Sequence, residues 1–204
     1  SSFPFLPAGP AIRSGGLIIS ELTAMGSVGQ LSALNQTDDY LLLTDADVLT
    51  GAKQNRVVNR SVLLAPSAKT VIDVSCVERL RWNYRSSSFS TPGSVADPSL
   101  RSKKAGTFSR MKPEHETQFR NTQGEVWDHV YASLAFEGVK SKTESYEELI
   151  RFRLEMEKSA FPECSRAEGC NGLAVLIDGK VISVDLFGNE ESYSYYFPML
   201  RDAA

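Results

Sequence analysis

The first half of the chain alternates short apolar runs with turn-forming residues. Residues 17–22 (Leu-Ile-Ile-Ser-Glu-Leu) form one such run, rich in branched side chains. Residues 30–35 and 40–44 flank the polar stretch Gln36-Thr37-Asp38-Asp39 and read as a hairpin. Residues 57–65 and 70–77 flank Pro66-Ser67-Ala68-Lys69 as a second hairpin, with 81–84 as a further short strand. Five or so short strands joined by polar turns predict a meander or sandwich rather than a parallel sheet.

The pattern then changes. Residues 86–112 are rich in Ser, Pro, Gly and basic side chains and show almost no apolar periodicity, which predicts a long loop. Beyond it, Val126, Trp127, Val130, Tyr131 and Leu134 recur at helical spacing and form one stripe. Residues 141–159 read as a second helix, with Thr143 or Ser145 as N-cap and Glu144, Glu147 and Glu148 favourable in its first turn. Residues 172–177 and 181–187 flank Asp178-Gly179, a turn pair whose two residues accept positive φ. Residues 189–201 close the chain as an aromatic-rich helix. Three prolines and a glycine in residues 1–10 predict an extended arm over 1–16, followed by a single domain over 17–204. The expected class is α+β: an antiparallel β-rich, sandwich-like N-terminal half, packed with two or three helices and a C-terminal β-hairpin.

Composition narrows the function classes. The chain has 204 residues, 42% of them hydrophobic and 23% charged, enough for one globular core. No apolar run approaches the roughly 18 residues of a membrane span, so no membrane partner is expected. A cytoplasmic location is the expectation, and the start at Ser1 leaves a removed signal peptide open. Cys164 and Cys170, six residues apart, would close a small disulfide loop in an oxidising compartment and stay free thiols in the cytosol. With His115 and His129 far from both, no metal site is expected, and no cofactor is called for.

Charge is unevenly spread. Residues 1–112 carry 13 Lys/Arg against 8 Asp/Glu, and residues 113–204 carry 9 against 17, so net +5 faces net −8. Within residues 79–112, eight cations (Arg79, Arg81, Arg85, Arg101, Lys103, Lys104, Arg110 and Lys112) stand against Asp97 alone. Trp82, Tyr84, Phe89 and Phe108 interleave with them, and flat rings beside cations suit a nucleotide or a single strand of nucleic acid. A pI of about 5.5 argues against nucleic acid as the main partner.

Two strings carry the candidate chemistry. Gly51-Ala52-Lys53-Gln54-Asn55-Arg56 offers two cations and two amides to a phosphate or carboxylate, without the glycines and closing Lys-Ser/Thr of a P-loop. On the strand that follows, Cys76 and Glu78 share a face. Cys76 reads as a core thiol too buried to be a nucleophile, and Glu78 as a rim carboxylate able to orient Arg56 or Arg81. His129 is expected on the polar side of its helix, and Asp45 and Asp47 at the surface beside a turn.

The same string 51–56, the string Val74-Ser75-Cys76-Val77-Glu78-Arg79-Leu80-Arg81-Trp82, and the later Gln123-Gly124-Glu125-Val126-Trp127, Ser141-Lys142-Thr143 and Gly179-Lys180-Val181 together resemble one domain family. It is the family named for its association with ADP-ribosylglycohydrolases and rhodanese-phosphatases. The resemblance runs from about Leu17 to Leu200; Leu80 departs from the glycine often found there. It implies a role near ADP-ribose or NAD-derived metabolites. Three readings follow. In the first, Lys53, Gln54, Asn55, Arg56, Glu78, Arg81 and Trp82 form one pocket for a small anionic or nucleotide-like ligand. In the second, the protein is a hydrolase of an ADP-ribose derivative, with Glu78 or an Asp as general base. In the third, it is a protein-interaction domain docking through residues 86–112.

Overall fold

The computed structural model describes residues 3–108, 116–157 and 164–204. Arg110, Lys112 and His115 lie outside them. The strands are β1 (Leu6–Pro7), β2 (Leu17–Glu21), β3 (Gln30–Asn35), β4 (Leu41–Leu43), β5 (Val48–Gly51), β6 (Arg56–Val58), β7 (Val62–Leu64), β8 (Lys69–Cys76), β9 (Phe89–Ser90), β10 (Gly172–Ile177) and β11 (Lys180–Leu186). The helices are α1 (Ala8–Ser14), α2 (Pro98–Phe108), α3 (Glu116–Phe136), α4 (Tyr146–Glu157) and α5 (Glu190–Asp202). The class is α+β and β-rich in its first half, as the sequence predicts.

Those strands close on each other rather than facing as two sheets. They run β2-β3-β8-β6-β5-β9 around a closed barrel, with β1-β4-β7 as a small sheet beside it. Alternation explains the interior: β2 turns Leu17 and Ile19 inward, β3 Leu31 and Ala33, and β8 Ile72 and Val74, all buried in one cluster with Leu49, Val58 and Phe89. Closure leaves no long free edge.

Outside the barrel, α3 lays Val126, Val130 and Leu134 against Val48, Val57 and Val77, joined by Leu100 of α2 and by Tyr146 and Leu149 of α4. These are three of the five positions of the predicted stripe; Trp127 is half-buried and Tyr131 turns to solvent. α5 packs Tyr196, Met199 and Leu200 on Ala46 and Val95, with Leu173 and Phe187 of the hairpin against them. The side chain of Asn189 caps α5 by accepting from the Ser192 amide at 2.8 Å. Asp178 (φ +49°) and Gly179 (φ +75°) form the predicted turn between β10 and β11.

Several expectations change. Residues 1–16 are not an extended arm: β1 pairs in parallel with β4, and α1 buries Ala8 and Ile12 in the barrel cluster. β3 and β4 exist but do not pair with each other. Asn35 turns the chain away, its amide donating to Asp39 O (2.8 Å) and Ala65 O (3.0 Å), so β4 leaves to pair with β1 and β7. The second expected hairpin splits likewise: β6 pairs with β8, while β7 crosses to β4. Residues 81–84 form no strand, and 98–108 are helical rather than looped. Leu100 is the buried apolar anchor of α2. The other inward groups are cations: Lys104 donates to the carbonyls of Asp45 and Val58, and Arg101 holds Asp185 of β11. Charged inward positions erase the apolar period that would have revealed the helix.

Candidate functional site

The loop between β5 and β6 begins with two residues at positive φ, Gly51 (+118°) and Ala52 (+37°). A side chain at 51 would come within 2.5 Å of Ser86 Oγ and 3.0 Å of Ser88 O, so glycine is required by space as well as by φ. This kink turns the carbonyls of Gly51 and Ala52 toward Arg81, which donates to them at 3.2 and 2.7 Å. Arg81 also donates to Asn83 O (2.8 Å) and Asn55 Oδ1 (3.2 Å). Four hydrogen bonds and a carboxylate thus clamp one guanidinium. Its role is to hold the loop.

That carboxylate is Glu78, just past β8 and fully buried. Arg81 reaches its Oε2 at 2.6 Å, and the backbone N–H of Asn55 donates to the same oxygen at 3.2 Å. Thr143 donates to Oε1 at 2.9 Å, and Arg85 stands 3.5 Å from it. Burial alone pushes the Glu78 carboxyl up, but the hydrogen bonds from Arg81 and Thr143 and the charge of Arg81 outweigh it, leaving the group below its ordinary 4.5. A third segment completes the frame. Residues 143–146 run antiparallel to 77–80, with Tyr146 N donating to Val77 O (2.8 Å) and Leu80 N to Thr143 O (3.0 Å). From it, Glu147 accepts from the side-chain Nδ2 of Asn55 at 3.3 Å.

The cations of the loop sit on the other side of this frame. Arg56 is fully buried at the start of β6. It donates to Gln54 Oε1 (3.2 Å) and, at 3.4 Å, to the carbonyls of Asn55 and Ser27. Glu21 of β2 forms an ion pair with it at 3.6 Å, beyond hydrogen-bond reach, and Glu21 Oε1 and Arg56 Nε have no hydrogen bond. Gln54 in turn donates to Arg79 O at 3.3 Å. Lys53 donates to Met25 O (2.8 Å) with its Nζ 5.3 Å from the Trp82 ring centre and 5.0 Å from that of Tyr84. Trp82 also lies 5.8 Å from the Arg56 guanidinium and stays 42% exposed. The rings approach so closely because Gly26 leaves room: a side chain there would stand 3.1 Å from Trp82 and 3.0 Å from Lys53.

All seven candidates therefore converge on one side of the barrel. Cys76 lies below them as a core thiol, pushed by burial up to about 12 against the pull of Arg56. Its backbone N–H and C=O pair with the side-chain amide of Gln123, each at 2.8 Å. Sequence reasoning missed Glu21, Ser27, Thr143 and Glu147. Gln123 and Thr143 do fall inside two of the strings that carry the family resemblance.

A second polar cluster gathers what looked like surface. Asp97 accepts from Ser99 (2.6 Å), the Leu100 amide (2.8 Å), Tyr146 (2.8 Å) and Arg153 (2.6 Å). Burial pushes it up, and these bonds bring it down to about 2. His129 is half-buried rather than exposed, its Nε2 3.2 Å from Ser99 Oγ. Burial lowers it, and the charge of Asp97 opposes. The cleft beside Asp97 and Arg153 holds about 40 Å³, water-sized against the roughly 300–1,000 Å³ of ligand sites. Asp47 is buried as well, accepting from Thr44 N (2.6 Å) and Tyr196 (2.7 Å), and burial pushes it up to about 6. Cys164 and Cys170 are free and exposed.

Among the described residues no group of three or more His, Cys, Asp or Glu is placed to hold a metal ion, and no helix is long and apolar enough to cross a membrane. Neither a curated protein nor a solved structure matches the chain. A family model does, over residues 1–204, and that span contains the kinked loop, the Glu78 frame and the aromatic-covered cations together. The chain belongs to the ARG and Rhodanese-Phosphatase-superfamily-associated Protein domain family, ARPP-1.

Proposed function

We propose that this domain binds a small anionic, nucleotide-like ligand linked to ADP-ribose or NAD metabolism on the face formed by Lys53, Arg56 and Trp82. The observation that carries the reading is the state of Arg56. Its guanidinium is buried with Nε unpartnered, its nearest acid is 3.6 Å away, and the half-open ring of Trp82 covers it. Buried polar atoms are almost always satisfied, so a buried Nε without an acceptor beneath an aromatic platform supports a place for a further acceptor. Lys53 adds a second positive charge beside the same ring. Gln54, Asn55, Glu78 and Arg81 shape the loop around these groups. The family's association with ADP-ribosylglycohydrolases and rhodanese-phosphatases supports the ligand class.

The geometry favours binding over hydrolysis by Glu78. Each of its oxygens already has two partners, and its proton affinity is depressed, so it is poorly suited to accept a proton from water.

Calorimetric titration with ADP-ribose, NAD, AMP and inorganic phosphate tests the proposal. Trp82→Ala should weaken ADP-ribose roughly 5- to 150-fold, the range of one lost stacking contact. Lys53→Gln should weaken AMP and leave adenosine unchanged. No heat from any of the four ligands at millimolar concentration, with the protein folded, would sink the reading.

A further inference from the structure

The C-terminal hairpin has two very different faces. On one, Leu173 packs into the cluster of Tyr196, Met199 and Leu200, and Asp185 is held by Arg101, so the hairpin is fixed to the body of the domain. The other face follows from the register. Gly172 stands opposite Leu186, Ala174 opposite Val184 and Leu176 opposite Val181. The pairing shifts between Val175 and Leu176, which leaves Ile182 as an extra residue in β11. Ala174, Leu176, Val181, Ile182, Val184 and Leu186 thus crowd one face, and none of them carries a charge. All are open to solvent: Leu186 is 82% exposed, Val181 62%, and Leu176 and Val184 56% each. Among the described residues β10 and β11 pair with no strand but each other.

A two-stranded sheet needs a third strand or a packed layer, and α5 supplies that layer on the Leu173 side, while the outer apolar face has none among the described residues. We infer that this face is the contact between two copies of the chain, packed hairpin on hairpin about a two-fold axis. Area and charge both point to a second copy. The exposed apolar side chains present roughly 500 Å² per copy, at the upper end of what an uncommitted monomer shows. Two such faces would bury roughly 1,000 Å² from these side chains alone, and the rim brings the total toward the roughly 1,200–2,000 Å² of a specific interface. An isologous contact sets the patch against a copy of itself, which is harmless for Val and Leu and prohibitive for clustered charge. An acidic or basic partner would find nothing here to pair with. The contact lies on a different part of the fold from the Trp82 face and stands independently of it.

The test is mass in solution, by light scattering after size exclusion with the chain at about 100 µM, on the wild type, Val184→Glu and Leu176→Glu. Both positions are exposed, so the variants should fold with unchanged circular dichroism and near-unchanged Tm. The expected result is a wild-type dimer that becomes monomeric in each variant, with at least a tenfold rise in dissociation constant. A dimer that persists in both variants overturns the assignment, because another surface then holds it. A wild type that is monomeric at this concentration overturns it too, whether the face then binds lipid vesicles, another protein or nothing.

Discussion

Glu78→Gln isolates the electrostatic part of the frame that holds the 51–56 loop. The substitution keeps shape and volume but removes one buried negative charge. Both carboxylate oxygens receive donors, from Arg81 and Asn55 N on one side and Thr143 and Arg85 on the other. Whichever way the new amide turns, its NH₂ faces donors, and Arg81 is left 6% exposed without a counter-charge. Breaking a buried pair from one side costs about 3–5 kcal/mol. For a domain of this size that is a fall in Tm of roughly 6–20 °C. Urea unfolding followed by tryptophan fluorescence measures it, since Trp82 lies beside Lys53 and Trp127 beside Arg79. The sign with pH is fixed. The folded pKa lies below 4.5, so the carboxylate stabilises the fold above that pH, and the contribution is lost as pH falls through the folded value. The gap between wild type and variant should therefore be full at pH 7 and shrink at acid pH. An equal midpoint at pH 7, or a gap that does not change with pH, refutes the electrostatic account.

Asp47 should act with the opposite sign. Its folded pKa of about 6 lies above the ordinary 3.8, so stability falls by up to about 3 kcal/mol as pH rises from 4 to 6. Asp47→Asn keeps an oxygen for Thr44 and Tyr196 and should flatten that limb of the stability–pH curve, as thermal melts across pH 4–8 would show. Asp97, held at about 2, contributes above pH 4 and loses that contribution as pH falls from 3.8 toward 2, so Asp97→Asn should flatten the acid limb in the same melts. Gly51→Ala meets both the φ of +118° and the Ser86 and Ser88 contacts. It should destabilise by at least about 1–3 kcal/mol in urea, and wild-type stability in this variant would remove the steric argument.

What was legible in the sequence is what depends on neighbours in the chain. Val126, Val130 and Leu134 gave away α3, Asp178-Gly179 gave away the hairpin turn, and the Gly51 loop, Glu78 and Arg81 stood out as residues that the fold brings together. Partners distant in sequence were not legible. The bonds from Thr143 to Glu78 and from Asn55 to Glu147 span 65 and 92 residues. Asp47 looks like surface until Tyr196, 149 residues on, closes over it. The two hairpins were misread because Asn35 spends its amide on carbonyls of other segments, a choice that no local pattern records. The helix α2 was missed because it anchors itself with a lysine and an arginine where most helices use leucine.

The amide of Gln123 has a meaning for how the chain is made. After Asp73, β8 runs past the end of β3, and at Cys76 its free N–H and C=O are met by a side chain rather than a strand. The plug lies 47 residues further along. During synthesis the barrel strands emerge first with that ladder position open, and it is sealed only when α3 has been made and has docked. A chain cut after residue 97 should carry every strand of the barrel yet present a sticky edge, and should associate through that edge, which the intact domain keeps sealed.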